Sequence, residues 1–149
     1  MKIAHIINLR VFAYEREDAA KIEEKLNSLL PFRLEDEKLS VSRTIAQGFH
    51  EKKIIIFEVT LEKEKHTSKF LKNFRSLLSD DQKKLLVSQA QSRLDENYGF
   101  FIRIDKTKLL DEDRIWITDS GNCVHMKMTV AAYPTNKENA LKVVKDWLS

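Results

Sequence analysis

Residues 3–14 have the sequence IAHIINLRVFAY, and this stretch decides the fold. From Ile7 to Tyr14, apolar residues at odd positions alternate with polar and aromatic residues at even positions, which is the period of a strand with one buried face. Residues 17–30 then change to the spacing of an amphipathic helix, which Pro31 ends. The chain is therefore expected to open with a strand followed by a helix.

Strand patterns recur in the rest of the chain. In the strand at 123–133, Val124, Met126 and Met128 alternate with polar residues and are assigned to the core, and Cys123 is expected to be buried or semi-buried. The remaining strands are predicted as two hairpins and one single strand: 39–46 with 53–61 across a turn at Gly48, 114–119 with 123–133 across a turn at 119–122, and 100–105.

Helical spacing and start signals appear between these strands. Residues 63–78 form the clearest amphipathic helix, with Phe70, Phe74 and Leu77 on its apolar side. Capping boxes predict helix starts at Ser79 with Gln82 and at Thr135 with Glu138, and a short turn is expected at 106–111. Trp116 and Trp147 are expected to pack.

This order of elements predicts an α+β fold. One mostly antiparallel sheet would carry its helices on one face, in a single domain over residues 1–149. The chain has 149 residues with 26 Lys and Arg against 23 Asp and Glu, so its formal net charge is +3. This composition is not typical of a disordered chain. No membrane span or signal peptide is expected, and their expected absence favours a cytoplasmic location.

The sequence contains no motif for most classes of catalytic site. Three glycines are too far apart for a phosphate-binding loop, four histidines follow no ligand spacing, and one cysteine allows neither an internal disulfide nor a cysteine-based zinc site. We therefore expect no catalytic residue, metal or cofactor. A metal-dependent nuclease that uses Asp95, Glu96 and Asp105 stays open as an alternative.

The first candidate binding surface is a stripe of cations on the 63–78 helix. Residues 63–84 hold seven Lys and Arg against three Asp and Glu. Lysines one turn apart can follow the phosphates of a nucleic acid, although a solvated helix face is the alternative. We call Lys65, Lys69, Lys72 and Arg75 the lysine stripe.

The second candidate is the outer face of the sheet, where aromatic rings and cations alternate. Rings can stack on bases while cations hold the backbone. A homodimer interface competes for this face, because Ile54, Ile56, Phe12 and Phe101 would make it apolar. The residues assigned to this face are Arg10, Phe12, Tyr14, Phe101, Arg103, His125 and Lys127.

Three motifs in this order resemble a known family. They are Phe12-Ala13-Tyr14, then Arg93-Leu94-Asp95-Glu96-Asn97 with Phe101-Ile102-Arg103-Ile104-Asp105-Lys106, and finally Ala132-Tyr133-Pro134. Together they resemble an archaeal family of predicted RNA-binding proteins described as exosome-subunit-like. The resemblance implies RNA as the partner and a fold similar to that of the large-subunit ribosomal protein that binds the small ribosomal RNA of that subunit.

The sequence thus predicts a non-catalytic RNA-binding protein, a homodimer linked to RNA processing or to exosome-type assemblies. A protein-interaction module in such an assembly is the remaining alternative. The residues predicted to bind RNA are Lys65, Lys69, Lys72, Arg75, Arg10, Arg103 and Lys127.

Overall fold

The structure, a computed structural model, describes residues 2–47, 52–119 and 121–149. Within these residues it contains six strands and six helices, so the predicted α+β fold is confirmed. The strands are β1 (Ala4–Tyr14), β2 (Ser42–Gln47), β3 (Lys53–Leu61), β4 (Gly99–Asp105), β5 (Ile117–Thr118) and β6 (Cys123–Val130). The helices are α1 (Ala19–Ser28), α2 (Glu64–Leu77), α3 (Asp80–Ser88), α4 (Ala90–Arg93), α5 (Lys106–Glu112) and α6 (Lys137–Leu148).

The six strands form one antiparallel sheet in the order β2-β3-β1-β6-β4-β5. β1 lies in the middle, with β3 on one side and β6 on the other. Its alternation fixes the two faces, because side chains of successive residues point to opposite sides of a sheet. Ile7, Leu9 and Val11 are buried on one face, as the sequence predicts.

The core lies between that face and the helices. Buried residues of all six helices join the inward residues of the strands in one cluster. Within it, Phe70 stacks on Phe74 with ring centroids 5.8 Å apart, and Phe74 stacks on Trp147 at 6.3 Å. The Trp147 indole N–H donates to the Leu71 carbonyl oxygen at 3.1 Å, so its polar atom is satisfied. Each such buried side chain stabilises the fold by about 1.5–3 kcal/mol.

The predicted pairing of the last two strands is wrong. β5 pairs with β4, not with β6, because β1 and β4 already occupy both edges of β6. Gln82 Oε1 accepts a hydrogen bond from the Ile117 N–H at 2.7 Å and helps to hold β5 at this edge. The pairing of β2 with β3 is confirmed. Their predicted turn at Gly48 and residue 120 of the other turn lie outside the described residues.

One predicted helix start is confirmed and the other is displaced. Ser79 Oγ accepts from the Gln82 N–H at 3.2 Å. The last helix is capped by Asn136 and not by Thr135, because the Asn136 side chain accepts from the Asn139 N–H at 2.8 Å.

Two apolar residues are also placed differently from their predictions. Leu77 is 47% exposed, since α2 ends there and Leu78 takes the buried position instead. Trp116 is at the surface, where its ring contacts the cations of Lys108 and Arg114 at 5.3 and 4.9 Å. None of the described helices combines the length and the apolar character that a bilayer crossing requires.

Candidate nucleic-acid interface

One face of the sheet carries no helix among the described residues. None of its side chains belongs to the core cluster to which all six helices contribute. The strand registers place the outer residues predicted from the sequence on this same face. We call it the open face, defined by Asn8, Arg10, Phe12, Tyr14, Ile54, Ile56, Glu58, Phe101, Arg103, His125 and Lys127.

Three nitrogen-bearing side chains cross the middle of the open face in register. Arg10 on β1 lies opposite His125 on β6, and His125 lies opposite Arg103 on β4. We call Arg10, His125 and Arg103 the central row. Adjacent strands are about 4.8 Å apart, so the central row spans about 10 Å. The Arg103 guanidinium donates to the Asp119 carbonyl oxygen at 3.0 Å, which fixes its direction. Arg10 and Arg103 thus place a positive charge on each side of His125.

Aromatic rings lie on both sides of the central row. Phe12 is two residues beyond Arg10, while Phe101 is displaced in the other direction along the strands. The Arg10 guanidinium is 5.6 Å from the Phe12 ring centroid, and the Lys127 ammonium is 5.5 Å from that of Phe101. Phe101 is 38% exposed, which leaves ring surface for a further partner. A groove of about 310 Å³ runs along the Phe101 side of the row.

His125 lies between the two arginines of the central row. Its burial lowers the pKa of the imidazole below the usual value, and the charges of Arg10 and Arg103 lower it further. The ring lies 6.3 Å from that of Phe12 and 3.6 Å from the sulfur of Cys123. Cys123 is buried, as predicted, and burial raises the pKa of its thiol, so the sulfur stays protonated and a poor nucleophile.

A buried lysine, for which the sequence predicts no role, holds one end of the open face. Lys106 is 1% exposed, and its ammonium donates to the Phe12 carbonyl oxygen at 2.9 Å and to Glu17 Oε1 at 2.8 Å. It also lies 5.1 Å from the Tyr14 ring centroid. A single lysine at the start of a short helix carries no sequence signal of burial. The contact appears only when β1 and α5 are brought together.

The lysine stripe lies on the other layer of the molecule. Lys65 pairs with Glu37 at 3.3 Å, and Arg75 donates to the carbonyl oxygen of Ser149. Glu37 also contacts His66 Nε2 at 3.2 Å, and the hydrogen bonds from His66 and Lys65 lower the pKa of its carboxyl. In the described part of the chain, the exposed Lys69 and Lys72 form no ion pair.

The two predicted surfaces are therefore not brought together. α2 packs its apolar side on the covered face of the sheet, so the lysine stripe points away from the open face. A strand of RNA on one surface would have to pass around an edge of the molecule to reach the other. The predicted site residues form two sets: Arg10, Arg103 and Lys127 on the open face, and Lys65, Lys69, Lys72 and Arg75 on α2.

The carboxylates of the nuclease alternative do not converge. Asp95 Oδ1 accepts from the backbone N–H groups of Asn97 and Gly99, each at 2.8 Å, and so shapes the turn before β4. Asp105 Oδ1 accepts from the Lys108 N–H at 2.9 Å and caps α5. These residues lie at opposite ends of β4, about 20 Å apart. Within residues 2–47, 52–119 and 121–149, no group of three or more His, Cys, Asp or Glu could hold a metal ion.

Comparison with known proteins identifies the family. A sequence model of a family described as RNA binding matches residues 6–130, which include most of β1 and all of β6. The chain belongs to this RNA-binding family. RNA-binding protein PAB1135 of Pyrococcus abyssi is 30% identical to it over 145 residues, covering 97% of this chain and 94% of the relative.

Solved structures of two archaeal proteins of similar length share the fold. Protein AF2318 from Archaeglobus fulgidus is 26% identical and superposes with a TM-score of 0.84, covering 98% of this chain and 99% of that one. Mth689 from Methanothermobacter thermautotrophicus, described as a DUF54 protein, is 26% identical with a TM-score of 0.79 and 99% coverage of both chains. The match to the RNA-binding family contains both candidate surfaces, so the choice between them rests on their geometry.

Proposed function

We propose that the chain binds single-stranded RNA on the open face and performs no catalysis. The observation that carries this proposal is the register of Arg10, His125 and Arg103 between the rings of Phe12 and Phe101 on a sheet face without helices. Aromatic rings on a sheet can stack only on bases that are free of a duplex, which favours single strands.

Each part of the face has a distinct task in this proposal. Phe12 and Phe101 would stack on bases, and each stacked base contributes about 1–3 kcal/mol. Arg10, Arg103 and Lys127 would contact phosphates, which adds affinity without base preference. The two carboxylates on this side of the sheet are already engaged: Glu58 accepts from the Asn8 amide at 2.9 Å, and Asp105 caps α5.

The proposal excludes the nuclease. Asp95 and Asp105 have structural partners at opposite ends of β4, which supports a binding role for the protein without hydrolysis. Incubation of a labelled RNA with the protein and magnesium is expected to leave the RNA intact. Cleavage that is lost in the Asp95→Asn or Asp105→Asn variant would establish the enzyme instead.

We also propose a homodimer that takes part in RNA processing, in exosome-type assemblies. Membership of the RNA-binding family supports RNA as a partner. The proposal also includes a fold similar to that of the large-subunit ribosomal protein that binds the small ribosomal RNA of that subunit. A protein-interaction module remains the second function, in which the open face would bind a protein. Whether RNA competes with a protein partner for the open face distinguishes these two functions.

The lysine stripe is the second candidate RNA surface. Lys69 and Lys72 are exposed one turn apart on α2, and in the described residues neither is neutralised by an ion pair. Lys65 and Arg75 are already engaged by Glu37 and by the Ser149 carbonyl oxygen, which weakens the case for the stripe.

Two matched triple variants test which surface binds. One replaces Arg10, Arg103 and Lys127 with Gln, and the other replaces Lys65, Lys69 and Lys72 with Gln. Affinity for a single-stranded RNA is measured from low to moderate salt. Each phosphate contact contributes about 0.7 to the slope of log affinity against log salt, so losing three flattens it by about 2.

We expect the open-face variant to show the flatter slope and the stripe variant to retain the parent's slope. The opposite result would place RNA on α2. Similar, partial losses in both variants would show an RNA path around the edge of the sheet. Melting temperatures of both variants are the control for folding.

A further inference from the structure

β2 is an edge strand of the sheet, and among the described residues only β3 pairs with it. β2 is six residues long, and Ile45, on the face of the sheet that carries the helices, is 64% exposed. Proteins normally protect such edges with lysine, proline, a bulge or a very short strand. The opposite edge follows this rule, since β5 has only two residues.

β2 has none of these protections. It contains no lysine or proline, and its register with β3 runs without a shift from Ser42 to Gln47. Its single charge, on Arg43, is directed at the Phe57 ring at 5.1 Å and at Glu23 at 3.9 Å. The backbone groups on the outer side of β2 are therefore open to another strand.

The sequence of β2 is complementary to itself when two copies run antiparallel. Residues directly opposite each other must share a face, so the symmetry axis passes through a residue. An axis at Ile45 pairs Ile45 with Ile45, Thr44 with Ala46 and Arg43 with Gln47 of the second copy. This register buries the exposed isoleucines against each other and opposes no like charges.

A contact through the open face is less favourable. Two stacked sheets would remove Arg10, Arg103 and Lys127 of both copies from water, and each buried ion costs several kcal/mol unless it is paired. Glu58 and Asp105, the carboxylates on this side, already accept hydrogen bonds. Ile54, Ile56 and Phe12 are half-buried by their neighbours in the sheet, which reduces the apolar area such a contact would gain.

We infer that two copies of the chain join through β2, in antiparallel register about Ile45, to form one twelve-stranded sheet. An axis perpendicular to a sheet reverses strand direction and preserves the faces, so both open faces lie on the same side. The contact is one strand wide and below the usual size of permanent interfaces, so we expect a dimer that dissociates at micromolar concentrations. It does not depend on the proposed RNA site.

Cysteine cross-linking tests the register. Opposed residues of antiparallel strands have Cα atoms about 4.5–5.5 Å apart, within the range of a disulfide. The Ile45→Cys variant should therefore form a covalent dimer on mild oxidation. In the matched Arg43→Cys variant the two new thiols would be four residues out of register, about 14 Å apart, and should not react. Absence of cross-linking at position 45, or equal cross-linking at 43 and 45, would overturn the proposal.

The molecular mass in solution tests which surface forms the dimer. The parent should change from 17.5 kDa toward twice that mass as its concentration rises, and Ile45→Lys should keep it at 17.5 kDa. Phe101→Lys, on the open face, and Leu77→Lys, on an exposed helix end, should dimerise like the parent. A parent that is monomeric at all concentrations, or dimers lost with Phe101→Lys and kept with Ile45→Lys, would refute the edge contact.

Discussion

Phe101 combines an exposed ring with a cation beside it, so its loss should weaken RNA binding without harming the fold. We expect Phe101→Ala to reduce the affinity for single-stranded RNA by about 1–3 kcal/mol, which corresponds to roughly 5- to 150-fold. The measurement is fluorescence anisotropy with a labelled oligonucleotide. Tyr133→Ala is the matched control, because Tyr133 is 95% exposed but lies in the loop after β6, outside the open face.

Equal losses in Phe101→Ala and Tyr133→Ala would contradict a specific stacking role. A fall in melting temperature of Phe101→Ala as large as that of a core truncation would show that the ring supports the sheet itself. Core truncation of a phenylalanine costs about 3–5 kcal/mol, so the two cases are well separated.

His125 should make RNA binding stronger in acid. Its pKa lies below the usual value because of burial and of Arg10 and Arg103, and a phosphate in the central row would raise it again. Binding then takes up a proton, so affinity should rise as pH falls from about 7.5 to 5.5. One added phosphate contact supplies about 1 kcal/mol, or roughly fivefold. An oligouridylate is the probe, and His125→Gln should abolish the pH dependence.

The same residue should destabilise the free protein in acid. Because the pKa of His125 is lower in the folded state than its ordinary 6.5, the unfolded chain binds the proton more readily. This contribution to the free energy of unfolding is complete above pH 6.5 and falls as pH decreases below it. Urea unfolding between pH 7.5 and 5.5 should therefore show the parent losing stability in acid relative to His125→Gln. If the free energies of unfolding of the parent and the variant changed with pH in parallel, His125 would have the same pKa in the folded and the unfolded state.

At the scale of elements, the pair formed by Lys106 and Glu17 joins the end of β1 to α5. Lys106 is buried, so removing its carboxylate partner leaves an ammonium held by the Phe12 carbonyl oxygen and the Tyr14 ring. We expect Glu17→Ala to lower the free energy of unfolding by about 1.5–3 kcal/mol, the range for a hydrogen bond to a charged group. Glu15→Ala, at an exposed neighbouring position, should change it by no more than about 0.5 kcal/mol.

The sequence predicts elements with strong periodicity and fails where partners are chosen in three dimensions. The faces of β1, β4 and β6 follow from alternation, which is a local property. The pairing of β5 with β4 does not, because it depends on β1 occupying the other edge of β6 and on Gln82 contacting the Ile117 N–H. The helix cap at Asn136 differs by one residue from the predicted one, since serine, threonine and asparagine all cap well.

The candidate site shows the same division. Alternation places Arg10, Arg103 and Lys127 on one face, and helical spacing places Lys69 and Lys72 on an exposed side. Their separation into two layers is invisible in the sequence, because it depends on which side of the sheet α2 crosses. The burial of Lys106 is equally invisible, since it requires a contact between residues far apart in the chain.

For the whole molecule, joined open faces should bind long RNA more tightly than short RNA. In the edge dimer, Arg10 of one copy and its equivalent in the other are about 24 Å apart across the sheet and about 20 Å apart along the strands, so about 31 Å separates them. An RNA that spans both faces gains from the high local concentration of the second site, so we expect at least about a tenfold gain over an RNA that covers one face. Binding of uridylates of increasing length measures it.

Ile45→Lys separates the two proposals in that experiment. It should remove the gain with length and leave the affinity for the shortest oligonucleotide unchanged. Loss of affinity for all lengths would count against the position of the RNA site. A gain with length that survives in a monomeric variant would instead show a site larger than one open face.

The central position of β1 also determines when the chain is most vulnerable during its synthesis. β1 ends at Tyr14, and β6, its second neighbour, begins only at Cys123. A ribosome needs roughly 5–20 s for the roughly 110 residues between them, at 5–20 residues per second. Throughout that time the apolar strand has an unsatisfied edge, and aggregation competes with folding. The order of translation therefore leaves one edge of β1 open until β6 has been made.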